Sequence, residues 1–189
     1  GLSSTPEMII AKTRSSTVNW RVYHKDLSSG HNLVLNLTNQ SSSQSNRIDN
    51  PTSTTFNPIY IDGNAANGSG QNYIAYCFHS VANYSKVGSY TGNGLTDGPT
   101  VTTGFKPAWI MVKRSSGGTS NWDILDTTRS TSNIINKRIY ANLSNAEPAA
   151  SDFVELLSDG FKLKNTASSQ NASGSTYIYL AIADTRDAL

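Results

Sequence analysis

The sequence predicts an all-β fold, an antiparallel β-sandwich of the jelly-roll or lectin-like kind built from two sequence-related units. Three observations lead to it. Short runs rich in Val, Ile, Tyr, Phe and Thr recur between Gly, Ser and Asn clusters, the pattern of a sandwich or barrel. No segment keeps apolar residues at i, i+3, i+4 and i+7 over three turns, which leaves no helices for a parallel βαβ sheet. Blocks of sequence also recur in the same order about a hundred residues apart.

In chain order, strands are expected over Met8 to Lys12, Trp20 to His24, Leu33 to Leu37, Tyr73 to Phe78 and Val87 to Thr91. The second half repeats the pattern over Ile110 to Lys113, Trp122 to Leu125, Ile139 to Leu143, Phe153 to Leu157, Phe161 to Lys164 and Tyr177 to Ala183. Asp159-Gly160 stands between two of these runs and reads as a hairpin turn whose two central residues take positive φ. A single helical turn over Ser151 to Leu157 competes with that reading and suits its neighbours less well. Two packed antiparallel sheets follow from this element list.

The repeat is explicit in the residues. Pro6-Glu7-Met8-Ile9-Ile10-Ala11-Lys12 aligns with Pro107-Ala108-Trp109-Ile110-Met111-Val112-Lys113. Asn19-Trp20 aligns with Asn121-Trp122, and Asn36-Leu37-Thr38-Asn39 with Asn142-Leu143-Ser144-Asn145. Asn67-Gly68-Ser69-Gly70 and Asn171-Ala172-Ser173-Gly174 each precede an apolar run. The units are residues 1–84 and 85–189, expected to pack as one domain. Trp20 and Trp122 hold matched positions, so both are expected in the core, and so is Trp109, which heads an apolar run. The second unit opens with Val87 to Gly94 and Pro99 to Phe105, whereas the first has only Gly1-Leu2 to set against Gly104-Phe105. The first unit therefore lacks its opening strand. The expectation is that the chain is part of a longer polypeptide or that a neighbouring chain supplies the strand. The least repeated segments, Ser41 to Thr55 and Glu147 to Ser151, are expected among the loops freest to carry function.

Composition narrows the function classes. Charged residues make up only 15% of the chain, and Ser, Thr and Asn fill about a third of it, a balance common in secreted, surface and virion proteins. A net charge of +2 gives no field that would draw nucleic acid or acidic membranes. No apolar run approaches the length of a membrane span. The single cysteine, Cys77, excludes an internal disulfide and reads as a small buried strand residue, compatible with assembly in a bacterial cytoplasm.

No catalytic constellation emerges. Glycoside hydrolysis needs two flanking carboxylates, and the candidates are Asp62, Asp97, Asp152, Glu155, Asp159 and Asp184, most of them beside turn-forming Gly or Ser. His24, His31 and His79 show no metal spacing, and no nucleophile elbow or phosphate loop is present. The oxygen-rich segments Asp62 to Asn67 and Asn93 to Asp97 could hold calcium but match no calcium motif, so no cofactor is expected. Asn-x-Ser/Thr triplets at Asn36, Asn39, Asn67, Asn83, Asn142 and Asn171 are expected from composition alone. Sugar binding needs an aromatic face, and Tyr84 and Tyr90, read as loop residues flanking the link between units, are the ligand-binding candidates.

Three stretches carry a resemblance: Tyr73 to Phe78, Tyr84-Ser85-Lys86-Val87-Gly88-Ser89-Tyr90-Thr91-Gly92-Asn93-Gly94, and Gly104 to Lys113, joined by Asn171 to Tyr179. Together they resemble an uncharacterised repeated β domain found in tail-fibre-like and other structural proteins of tailed, often marine, phages. The resemblance implies a virion structural or host-recognition role and supplies no catalytic or ligand residues. The expected function is a non-enzymatic adhesin module binding a bacterial surface glycan. Its expected partners are other virion subunits, as a homo-oligomer, with no nucleic acid and no membrane insertion, and its expected location is the virion, assembled in the bacterial host cytoplasm. The alternative is an assembly or decoration protein of a capsid or filament that exchanges strands between subunits. A polysaccharide-degrading enzyme ranks last.

Overall fold

The structure is a computed structural model that describes residues 4–43, 47–59, 67–148, 151 and 153–184. It is all-β, with antiparallel pairing throughout. The chain divides into two compact units, Gly1–His79 and Ser80–Leu189. The division falls before residue 84 because the link belongs to the second unit: Val81 bridges Ser85, and Tyr84 C=O accepts the Ala183 N–H at 2.8 Å.

The first unit contains β1 (Met8–Thr13), β2 (Arg21–His24), β3 (His31–Val34), β4 (Ser42–Ser43), β5 (Arg47–Asp49), β6 (Asn57–Ile59) and β7 (Tyr73–Phe78). Five of them form one sheet in the order β4-β3-β2-β1-β7, while β5 and β6 make a separate ribbon. Ile9 and Ala11 meet Ile48 in a small core that Tyr23, Phe56 and Cys77 flank. The described residues of 41–55 thus include strand as well as loop. Buried Asn32 donates to Ile48 C=O at 3.2 Å and accepts Ile48 N–H at 2.9 Å, fastening β5 against β3. Its hydroxyl- and amide-rich sequence hid the strands β4 and β5.

The second unit contains β8 (Ser85–Thr91), β9 (Thr100–Thr102), β10 (Pro107–Arg114), β11 (Trp122–Asp126), β12 (Ile139–Tyr140), β13 (Val154–Leu157), β14 (Gly160–Leu163) and β15 (Thr176–Ala183). A five-stranded sheet, β12-β11-β10-β15-β8, faces a three-stranded sheet, β13-β14-β9. One core cluster fills the space between, with Ile110, Val112, Tyr177 and Tyr179 from the first sheet and Val154, Phe161 and Leu163 from the second. This is sandwich packing, driven by burial of alternate apolar side chains.

The β13–β14 hairpin is present, but its turn differs from expectation. Leu157 pairs with Gly160, so the central residues are Ser158 and Asp159, and Gly160 is not among the residues with positive φ. Glycine is required at 160 for another reason. A Cβ there would lie 2.1 Å from the Val101 carbonyl oxygen, because β14 runs hard against β9. Asp159 contributes its backbone, accepting N–H bonds from Thr103 (2.8 Å) and Gly104 (2.9 Å).

Candidate functional site

The two units share local chemistry at matched residues. Asn36 accepts the Trp20 N–H at 2.9 Å and donates to Asn19 Oδ1 at 2.8 Å. Asn142 does the same to Trp122 and Asn121, at 2.9 and 2.8 Å. Tyr73 and Tyr177 hydroxyls each accept a loop N–H, from Gly68 at 2.6 Å and Ala172 at 2.8 Å. The ladders also correspond: Ile10 pairs with Val22 and Tyr76, as Met111 pairs with Ile124 and Leu180. These asparagine clamps spend both amide atoms on structure, which accounts for Asn36 and Asn142 without any modification.

A surface groove lies where β10 begins and β11 and β15 end. A cleft of about 450 Å³ is lined by Ala108, Trp109, Asp126, Thr127, Thr128, Arg129, Ala183 and Asp184. A second cleft of about 300 Å³, sharing Thr127 and Asp184, is lined by Lys106, Ser130 to Asn133 and Leu156. Trp109 is only partly buried, so the expectation that it belongs wholly to the core is corrected. Its counterpart Met8 is 1% exposed. The rest of the lining is mainly hydroxyl, amide and charged groups. Such a pairing of one aromatic face with polar groups suits a sugar, whose own faces alternate in the same way.

Asp126 ties the groove wall together. Asp126 Oδ1 accepts the N–H groups of Thr128 at 3.0 Å and Arg129 at 2.8 Å, while Oδ2 pairs with the Arg129 guanidinium. Both carboxylate oxygens are thereby engaged. Glu147 extends the charged rim, 3.3 Å from Lys137 and 3.7 Å from Arg129.

Tyr84 and Tyr90 separate. Tyr84 is 53% exposed, and its carbonyl bonds Ala183, a groove-lining residue, so it stands at the same end of the sheet as Trp109. Tyr90 is not on a loop. It lies in β8, stacked on Tyr177 at 5.1 Å, with its hydroxyl donating to Gln170 C=O at 2.8 Å. Burial pushes its pKa well up, and neither face is offered to a ligand. Trp122 is buried as expected, whereas Trp20 is half-buried. Cys77 is also half-buried, and burial raises its thiol pKa.

Of the candidate acids, Asp62 and Asp152 lie outside the described residues. Asp97 meets Lys162 at 2.5 Å, and Glu155 meets Lys164 at 3.3 Å. The hydrogen bond and charge of Lys162 hold the Asp97 carboxyl below its ordinary value. Among the described members of the set, Asp184 alone lines the groove. The oxygen-rich segment 62–67, which could hold calcium but matches no calcium motif, lies largely outside the described residues. In 93–97, Asn93 is committed to its own turn, accepting Leu95 N–H at 2.9 Å and donating to Asp97 C=O at 3.0 Å. Among the described residues, no group of three or more His, Cys, Asp or Glu is placed to hold a metal.

Sequence reasoning did not find the groove. The departure at Trp109, a bulky aromatic where the first unit has Met8, was the available signal. It also missed a buried polar cluster. Asp123 and Lys113 are both 0% exposed. Asp123 accepts from Gln170 at 2.8 Å and pairs with Arg138 at 3.1 Å, and Arg138 also lies over the Phe153 ring at 4.7 Å. Burial raises the Asp123 pKa even beside Arg138. Lys113 donates to Ser120 C=O at 2.8 Å, and burial lowers its pKa to about 8. The cluster is enclosed in the fold, so its role is to bind elements together.

No curated protein and no solved structure matches the chain. Residues 1–186 match the family described as "Domain of unknown function (DUF7483)", which is nearly the full length. The chain belongs to that family.

Proposed function

We propose that the chain is a non-catalytic recognition module of a phage virion, and that its Trp109 groove binds a bacterial surface glycan. The observation that carries this reading is a partly exposed tryptophan on the wall of a groove otherwise lined mainly by Thr, Ser, Asn, Asp and Arg. The resemblance to tail-fibre-like domains and the hydroxyl-rich composition support the same reading. Tyr84 flanks the groove as a second aromatic surface. Asp126 orders the rim and does no acid–base chemistry, because backbone N–H groups and Arg129 occupy its oxygens. Each groove is shallow and binds weakly. Several copies in a homo-oligomer supply avidity, and the lectin-like sandwich holds the grooves rigid. The matched ladders and clamps support descent of both units from one repeated unit.

The test is a bacterial glycan array probed with the chain displayed multivalently, alongside Trp109→Ala. Binding that falls at least tenfold in the variant is the expected result. No binding in multivalent display, or equal binding by the variant, defeats the proposal. Glycan cleavage that Asp184→Asn abolishes would place the chain among the polysaccharide-degrading enzymes instead.

A further inference from the structure

β7 and β15 are matched strands with different neighbours. β15 lies between β10 and β8, and seven of its residues, Thr176 to Ile182, pair with β8. β7 ends its sheet, and among the described residues no strand pairs with its outer side. The burial follows. Ile178 and Leu180 on β15 are 1% and 2% exposed, while their counterparts Ile74 and Tyr76 are 36% and 46% exposed.

Ladder parity identifies the groups left over. Residues of an antiparallel strand alternate between the two neighbours they bond. Arg14 N–H donates to Asn72 C=O at 2.7 Å, so the even-numbered residues of β7 serve β1, and Ala75 and Cys77 direct their N–H and C=O groups outward. In the second unit Ala183 N–H donates to Tyr84 C=O, which sets the odd-numbered residues of β15 toward β8. The outward groups of Ala75 and Cys77 thus correspond to those by which Tyr179 and Ala181 meet Gly88 and Lys86.

We propose that the outer edge of β7 accepts, by strand addition, an extended donor segment of β8 chemistry. The segment enters antiparallel, with a lysine-like residue opposite Cys77, a small residue opposite Ala75 and a tyrosine opposite Tyr73. Main-chain bonds hold it, with a valine-like side chain over Tyr76 and a serine-like one beside Ile74, as Val87 and Ser89 lie opposite Leu180 and Ile178. At the Cys77 end of this strand a cleft of about 510 Å³, lined by Pro6, Phe56, Cys77 and the threonines of 52–55, leaves space beside the edge. The matched strand in the second unit explains why the chemistry is that of β8. One difference sets specificity. A Cβ at Gly88 would lie 2.7 Å from the Tyr179 hydroxyl, whereas the matching position in β7 is Ala75, which carries no ring. The donor for β7 therefore tolerates a β-branched residue where β8 requires glycine.

The probe is a synthetic peptide with the sequence of residues 85–94, added to the full chain and read by amide hydrogen exchange. At saturation, exchange at Ala75 and Cys77 slows at least tenfold. A peptide with valine at the position of Gly88 binds as tightly or a few-fold more tightly, because valine favours the strand. Ala75→Pro removes the outward N–H and abolishes the protection while the thermal midpoint holds; Ala75→Lys, which keeps the backbone, weakens it. Unchanged exchange at β7, protection of β15 instead, rejection of the valine peptide, or a chain dimer paired through β7 that the peptide cannot displace would each overturn the proposal. None of these variants touches the Trp109 groove, so failure here leaves glycan recognition standing.

Discussion

Replacing Gly160 with alanine separates two reasons for a glycine. If Gly160 were a hairpin-turn glycine with positive φ, alanine would cost about 1 kcal/mol of left-handed strain. Its φ is ordinary, and the obstacle is steric: the new Cβ would sit 2.1 Å from Val101 O, 3.0 Å from Val101 C and 3.1 Å from Thr102 Cα. All three are backbone atoms, so no rotamer change relieves the clash. Moving the first contact from 2.1 Å out to the 3.0 Å floor of real Cβ contacts shifts β9 by nearly an ångström. That loosens the pairs Gly160–Thr102, Phe161–Val101 and Lys162–Thr100 and partly exposes Val101. At about 1 kcal/mol per lost bond plus a fraction of a valine's burial, the loss is about 3 kcal/mol. A chain of this size then melts roughly 10 °C lower. Gly174→Ala is the matched control, since its φ is +71° and nothing lies within 4 Å of the added Cβ, so it carries the strain alone. Urea unfolding of the wild-type chain and both variants reads the difference. Equal losses for Gly160→Ala and Gly174→Ala would refute the steric reasoning and restore the turn.

Burial lowers the Lys113 pKa to about 8 from 10.5, so above pH 8 the folded chain releases a proton that the unfolded chain retains. Stability therefore rises with pH, by about 2 kcal/mol between about pH 7.5 and 9.5, and Lys113→Met removes that slope in urea unfolding followed across the range. Asn142→Ala strips one bond from the backbone N–H of buried Trp122 and one from the Asn121 side chain and costs about 2 kcal/mol, while Asn36→Ala at the more exposed clamp costs about 1 kcal/mol; thermal unfolding compares them. Trp109→Ala lowers glycan binding at least tenfold and, at a partly exposed position, leaves the unfolding free energy from urea titration within about 1 kcal/mol of wild type.

Apolar runs and the repeat made most strands legible, since β1, β10 and β15 are near-continuous apolar stretches rich in Ile, Val and Tyr that the structure buries along most of their length. The short strands β4, β5, β6 and β9 were not legible. Their Ser, Asn, Pro and Thr residues owe their order to tertiary partners such as Asn32 on Ile48, which no local pattern carries. Tyr84 was legible as an exposed aromatic, but Tyr90 was not legible as core. Its burial depends on Tyr177 and Gln170, distant in sequence. Asp123 and Lys113 escaped for the same reason, being charges inside strands that only the fold brings beside Arg138, Gln170 and Ser120. The Trp109 groove depends on three strand ends meeting, and the sequence marked it only through the contrast with Met8.

The central structural claim is that both units share one ladder and differ in whether its outer edge is covered. Hydrogen exchange of the unliganded full chain, resolved to single amides, tests it most directly. Ala75 and Cys77 should exchange at least a hundredfold faster than Tyr179 and Ala181, while Ile74 and Tyr76, bonded to β1, stay slow. Equal protection at Ala75 and Tyr179 would contradict the claim, because the edge of β7 would then already be paired.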